Sequence, residues 1–291
     1  MLATTPPARA QTQGAASAPA SWKEMMAVFL ARQIRDTDRI CSGAHTEISF
    51  AATMLAQKMH APNLKLQLGG GAFLCNVADV EVDELPRTSV DYRIMAWAEA
   101  YFEHHDTFNH YGPPGGRGYY NDPAAWGGTN KYFFADKFFV GGVQVDRHGN
   151  VNLIGVGEGG RFRFRGPGSV GINDVTTVRD VFVFMTAHDR QRLVPEADYV
   201  SMPGPKTYRA KDLMGNGPQF IVTPRCVFDF HGPDQTAALV GLFPGHTEEE
   251  VAEHTGWELV KSPNFVTLAE PSPAELETLR TAIDRKGVLR S

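Results

Sequence analysis

His45 and Glu47 stand two residues apart in the loop Ser42-Gly43-Ala44-His45-Thr46-Glu47, a spacing at which they could act as an acid–base pair. An imidazole titrates near neutrality, so the two could position a water molecule or relay a proton. Glu47 also opens an apolar periodic stretch, where an acid in the first turn suits the helix macrodipole and would simply cap the helix. Three glycine-rich segments come next: Gly69-Gly70-Gly71, Gly141-Gly142, and Gly166-Pro167-Gly168-Ser169-Val170-Gly171. Glycines make turns, but they also let backbone approach a ligand, and their amides can hold a carbonyl or oxyanion with fixed dipoles. Three such loops in one chain point to a site.

Other constellations are weaker. Arg161-Phe162-Arg163-Phe164-Arg165 alternates, placing three guanidiniums on one face of a strand and two rings on the other. It reads either as phosphate or carboxylate capture or as an edge strand with a solvated charged face. Glu103, His104, His105, Asp106 and His110 offer metal-ligand types. Neighbouring histidines diverge on a helix and no second cluster completes a sphere, so no metal site is expected. No G-x-S-x-G or Walker motif occurs, and the charged strand before Gly166 does not suit a dinucleotide-binding fingerprint.

The elements that must position these residues are legible in outline. Ser21-Trp22-Lys23-Glu24 is a capping box, and Met26, Phe29, Leu30 and Ile34 fall on one helical face. Arg39-Ile40-Cys41 reads as a strand, with a helix after it carrying Ile48, Ala51, Ala52, Leu55 and Met59 on one side. Leu64, Leu66 and Leu68 then alternate toward Gly69. This order predicts parallel βα units, in which ligands gather at the carboxyl ends of strands. A helical pattern covers 91–103, and 111–130 reads as a long irregular excursion. Strands are expected near 138–145, 150–156, 181–186, 219–223, 226–230 and 239–243, with a tight Asp146, Gly149, Asn150 turn between the first two. Late helices start at Thr247 and at Ser272-Pro273.

The 291 residues carry a formal net charge of −5, so no basic field invites nucleic acid or anionic lipid. No apolar run is long enough to span a bilayer. Three scattered cysteines suit neither a disulfide framework nor a zinc ribbon, and a reducing cytoplasm fits them best. Residues 1–20 read as a disordered tail before one domain over 21–291. The fold class is α/β, an open, mostly parallel sheet with flanking helices.

Taken together, the run from Gly141 through Asn152, the loop opening at Gly166, and Asp198-Tyr199-Val200-Ser201-Met202-Pro203-Gly204 resemble the β subunit of family I CoA-transferases. Ala61-Pro62-Asn63, Gly217-Pro218-Gln219-Phe220 and the stretch 244–256 extend the resemblance, which is closest to the glutaconate CoA-transferase branch. It implies that family's fold, an α-type partner subunit, and coenzyme A entering as part of the substrate with no bound cofactor. Gly69, Gly70, Gly71, Gly166, Gly168, Ser169 and Gly171 would then line the acyl-CoA, with Glu47 and His45 as candidate catalytic groups.

One departure bears on the chemistry. Transferases of this family resemble one another in a nucleophilic glutamate ending the second strand, in an E-S-G or E-x-G motif. Gly69 occupies that place here, in Leu66-Gln67-Leu68-Gly69-Gly70-Gly71. Glycine cannot form an acyl anhydride or a glutamyl-CoA thioester. A branch without the glutamate is similar to steroid ring-opening hydrolases, in which water cleaves a carbon–carbon bond of a cyclic acyl-CoA and the α-type partner supplies the key glutamate. The resemblance thus implies ring-opening hydrolysis, with CoA transfer between acids and a non-catalytic acyl-CoA-binding or scaffold subunit as alternatives.

Overall fold

The computed structural model describes residues 18–43, 47–68, 71–81, 84–88, 91–101, 135–169 and 172–291. His45, Gly69, Gly70, Gly171, the cluster from Glu103 to His110, tail residues 1–17 and the excursion over 111–130 lie outside them.

Helix α1 (Trp22–Arg32) starts at the expected capping box: Ser21 Oγ accepts from the Glu24 amide at 3.1 Å, and the Glu24 carboxylate accepts from the Ser21 amide at 2.9 Å. Strand β1 (Arg39–Ser42), helix α2 (Glu47–Met59) and strand β2 (Lys65–Leu68) follow. β1 and β2 pair in parallel, with Ser42 opposite Leu68, which completes the expected βαβ unit. α2 is buried along Ile48 to Gln57 rather than on one face, because a second layer covers its far side. Met59, expected on the apolar stripe, is half-exposed at the helix end.

β3 (Ala72–Leu74) turns back antiparallel on β2, and β4 (Ala100–Tyr101) pairs with β3 after a single helical turn, α3 (Tyr92–Met95). The helical pattern read over 91–103 therefore gives way to an edge strand. Open backbone on β3 offers Ala100 and Tyr101 hydrogen-bond partners that override a weak local period.

Next come β5 (Lys137–Val140), the hairpin β6 (Gln144–Asp146) and β7 (Val151–Asn152), and a ribbon of β8 (Gly155–Glu158) and β9 (Arg161–Arg165). The hairpin turns on Asp146, whose Oδ1 accepts from the amides of His148 at 2.9 Å and Asn150 at 3.0 Å. β10 (Asp180–Phe184), β11 (Leu193–Val194), α4 (Pro205–Ala210), β12 (Pro218–Val222), β13 (Cys226–Asp229) and β14 (Ala238–Leu242) complete the strands. Helices α5 (Glu248–His254) and α6 (Pro273–Thr278) carry the expected caps at Thr247 and Ser272.

Among the described residues the main sheet runs β14-β13-β12-β10-β5-β1-β2-β3-β4. Its centre, from β12 to β2, is parallel, and antiparallel strands extend both sides. Side chains alternate between two cores. Ile40, Phe139, Phe182, Phe184 and Val222 face α1, α2 and the C-terminal segment, whereas Cys41, Phe138, Val140, Val181, Val183 and Ile221 face the β6–β7 layer. Both faces are covered, so these strands read as continuous apolar runs. The three cysteines are free, and burial pushes the Cys41 and Cys226 thiols up to about 12. No described helix is long and apolar enough to cross a membrane.

Candidate active site

The parallel strands lie in the order β2-β1-β5-β10-β12, so the chain steps outward from β1 to β2 and then crosses back to β5. In open sheets, ligands collect outside the carboxyl ends of strands where the winding reverses, here between β1 and β5. β1 ends in Ser42 and runs into Gly43; β5 ends in Val140 and runs into Gly141-Gly142. A methyl group added at Gly43 or Gly141 would meet the Phe139 or Phe184 carbonyl oxygen at 3.7 Å, an ordinary van der Waals contact, so small side chains would be tolerated there. Beneath this edge, the buried hydroxyls of Ser42 and Ser49 are 2.7 Å apart and join β1 to the first turns of α2.

Glu47 is the first residue of α2 and half-buried, beside the carboxyl end of β1. The positive end of a thirteen-residue helix therefore faces the reversal point, with a carboxylate on its opening turn. Gly71 closes a tight turn just beyond β2, at φ +90°, its amide donating to the Leu68 carbonyl at 2.9 Å. Glu47 and Gly71 are thus brought to the carboxyl ends of neighbouring strands.

The 166–169 loop reaches the same edge by another route, packing on the β6–β7 layer that follows β5. Two of its glycines are demanded by the fold. A Cβ on Gly166 would sit 2.4 Å from the Leu153 carbonyl oxygen, and Gly168 has φ +94°. Their amides donate to the carbonyls of Ile154 at 2.8 Å and Leu153 at 2.9 Å. Those two donors are engaged within the chain, so the expectation that they greet a substrate carbonyl is not met at Gly166 and Gly168. Gly166 serves close packing and Gly168 a left-handed turn. Ser169 Oγ donates to Ser201 Oγ at 2.9 Å, and Ser201 Oγ accepts from the Leu153 amide at 2.9 Å.

Ser201 and the network around it are not evident from sequence reasoning, although they belong to the Asp198–Gly204 motif. Asp198 accepts from the Gly157 amide at 2.8 Å, and its own amide donates to Gln144 Oε1 at 3.2 Å. Asn152 Nδ2 donates to the same Gln144 oxygen at 2.7 Å. The buried amides of Gln144 and Asn152, with the exposed Asp198 carboxylate, thereby fix the β8–β9 ribbon to the root of the loop.

His188, just past the carboxyl end of β10, is a second titratable group at this edge. Its ring nitrogens lie 2.8 Å from Thr223 Oγ1 and 3.1 Å from Thr255 Oγ1, and the side chain is buried. Burial, with the nearby Arg225 charge, lowers its pKa to about 4. With both nitrogens held, it is a structural histidine. No group of three or more metal-ligating side chains gathers among the described residues.

No protein-family model matches the chain. It is 29% identical over 275 residues to the β-type subunit of glutaconate CoA-transferase from Acidaminococcus fermentans, covering 90% of this chain and 92% of that one. It is 27% identical over 275 residues to the IpdB chain of the cholesterol ring-cleaving hydrolase from Mycobacterium tuberculosis, covering 91% and 95%. The crystal structure of the Acidaminococcus fermentans glutaconate coenzyme A-transferase superposes with a TM-score of 0.73 at 26% identity, covering 93% and 97%. Sequence and fold agree along nearly the whole chain, which is therefore a relative of the β-type subunits of the CoA-transferase family, the family its motifs resemble.

Proposed function

We propose that this chain is the β-type half of a heteromeric acyl-CoA enzyme, and that the enzyme hydrolyses a carbon–carbon bond in a cyclic acyl-CoA without a covalent intermediate on this chain. The observation that carries the reading is the end of β2, where Leu66-Gln67-Leu68 is followed by Gly69-Gly70-Gly71. A backbone without side chains leaves room for a bulky acyl group and offers no carboxylate to attack a thioester. In the proposed step, water adds to a ring ketone and the bond from that carbon to the carbon beside the thioester breaks. The electron pair passes into the thioester enolate, which is then protonated, so the product gains one water and keeps its CoA. Glu47 and His45 would position the water or relay the proton, and an α-type partner would supply the remaining acid–base groups.

CoA transfer is the second reading. Identity is slightly higher to the transferase chain, 29% against 27% for the ring-cleaving one.

The two separate by mass. The chain, co-expressed with its α-type partner, is given cyclic and linear acyl-CoAs with and without a free-acid acceptor, and CoA species are weighed. An acyl-CoA heavier by one water supports hydrolysis. CoA appearing on the acceptor overturns it.

A further inference from the structure

Gln67 lies on β2, two residues before Gly69, and is only 5% exposed. Leu66 and Leu68, on either side of it, belong to the core against α1 and α2. Strand alternation therefore turns Gln67 to the opposite face, shared with Cys41 and the β6–β7 layer that carries the 166–169 loop. Its cross-strand neighbours are Cys41 on β1 and Phe73 on β3, a thiol and a ring that give an amide little to bond.

Among the described residues, the Gln67 side chain has no hydrogen-bond partner. The other buried amide side chains, Gln57, Gln144 and Asn152, are bonded through both nitrogen and oxygen. An unmet amide in a core is costly, so its presence needs a reason. Among the described residues, the polar atoms that are both sealed and unpartnered belong to His148, Tyr208, Arg225 and Trp257. The Gln67 amide is not one of them, so it reaches open space near the carboxyl end of β2.

The reaction proposed above sends an electron pair onto the thioester oxygen, where a fixed donor is needed. The Gly166 and Gly168 amides are engaged by Ile154 and Leu153, and Ser169 Oγ donates to Ser201. We propose that Gln67 Nε2 donates to the thioester carbonyl oxygen of the acyl-CoA and holds the charge that gathers there as the enolate forms. The proposal rests on the acyl-CoA reading above.

The test uses the complex with its α-type partner and two ligands: a cyclic acyl-CoA and the matching S-alkyl-CoA thioether, which lacks the carbonyl. The native complex should bind the acyl-CoA about tenfold more tightly, and Gln67→Met should remove that preference. In the same variant kcat/KM should fall about 100-fold, more through kcat than through KM, because charge on the oxygen grows along the reaction. Its thermal midpoint should hold or rise, since an apolar chain of equal length replaces an unmet amide. Gln67→Leu, as a second variant, should behave alike.

A preference that is missing from the native complex, or that survives in both variants, overturns the proposal. A lower thermal midpoint with turnover per folded complex within about threefold of native makes Gln67 a packing residue, which also overturns it. If the native complex binds neither ligand, the acyl-CoA reading fails and takes this proposal with it. CoA moving to an acceptor overturns hydrolysis alone, and the binding comparison still decides Gln67.

Discussion

The same three strands, β1, β5 and β10, are finished in opposite ways at their two ends. At the amino end, charges crowd together and pair. Lys137 lies 3.3 Å from Asp38 and 3.8 Å from Asp180, and Arg179 reaches Asp38 at 3.0 Å, Asp136 at 2.9 Å and Asp180 at 3.3 Å. Arg39 adds a contact to Asp136 at 3.1 Å. At the carboxyl end, the strands run out into Ser42-Gly43, Val140-Gly141-Gly142 and Phe184-Met185, with Glu47 on the adjoining helix. One end fixes strand order by ion pairs that leave little to bind; the other, among the described residues, is built of small side chains and sparsely charged. A ligand site and a stability clamp can share one sheet because they occupy its two edges.

That contrast breaks most readily at the clamp. Asp38→Ala would strand Lys137, whose side chain is only 4% exposed, with just the longer Asp180 contact. Removing one partner of a buried pair costs about 3–5 kcal/mol, so the denaturant midpoint should fall sharply, while turnover per folded complex stays near native. A large loss of specific activity in the folded variant would show that the two ends are not independent.

His188 sharpens the contrast from the other side, as a titratable group at the carboxyl edge that serves the fold. Its folded pKa, about 4, lies below the unfolded value near 6.5, so the unfolded chain binds more protons between those limits. Its contribution is full above pH 6.5 and disappears as pH falls toward 4, by at most about 3 kcal/mol. Stability measured across that window should decline, and His188→Asn should flatten the slope. An unaltered slope would mean that other groups carry the acid sensitivity.

Glu47→Gln should do the reverse of Asp38→Ala. Turnover should drop about tenfold or more, equivalent to about 1.4 kcal/mol, while the unfolding midpoint barely moves. Turnover within about threefold of native would reduce Glu47 to a helix-opening acid. Tyr208→Phe has the smallest expected effect. The Tyr208 hydroxyl is buried without a partner among the described residues, and burial pushes its phenol well above the ordinary range. Removing it should change stability by less than about 1 kcal/mol, toward gain. A clear loss on thermal denaturation would reveal a partner for that hydroxyl.

Local signals are legible in the sequence wherever one short segment decides the outcome. The capping boxes at Ser21 and Ser272, the Asp146 turn and the alternating strand at 161–165 all form as their residues dictate. The parallel sheet is legible because its strands are buried on both faces. What escapes depends on distant partners. α2 reads as amphipathic, yet the layer that buries its second face comes from elsewhere in the chain. Gly166 and Gly168 read as open donors, although Leu153 and Ile154, more than ten residues earlier, accept their amides. Asp38, Lys137 and Arg179 carry no local pattern at all, since the ion pairs exist only once three strand starts stand side by side. Of the candidate site, the glycines and Glu47 can be picked out by type. Their shared edge requires the strand order.

The most direct test of a reaction without a covalent intermediate is the intact mass of this chain during turnover. The complex is mixed with acyl-CoA, quenched with borohydride, and the chain is weighed and digested. Its mass should stay unchanged while product forms, because Gly69 cannot carry an acyl or CoA group. A reduced glutamyl or aspartyl side chain on this chain would contradict that, and would identify the carboxylate that acts in place of the missing nucleophile.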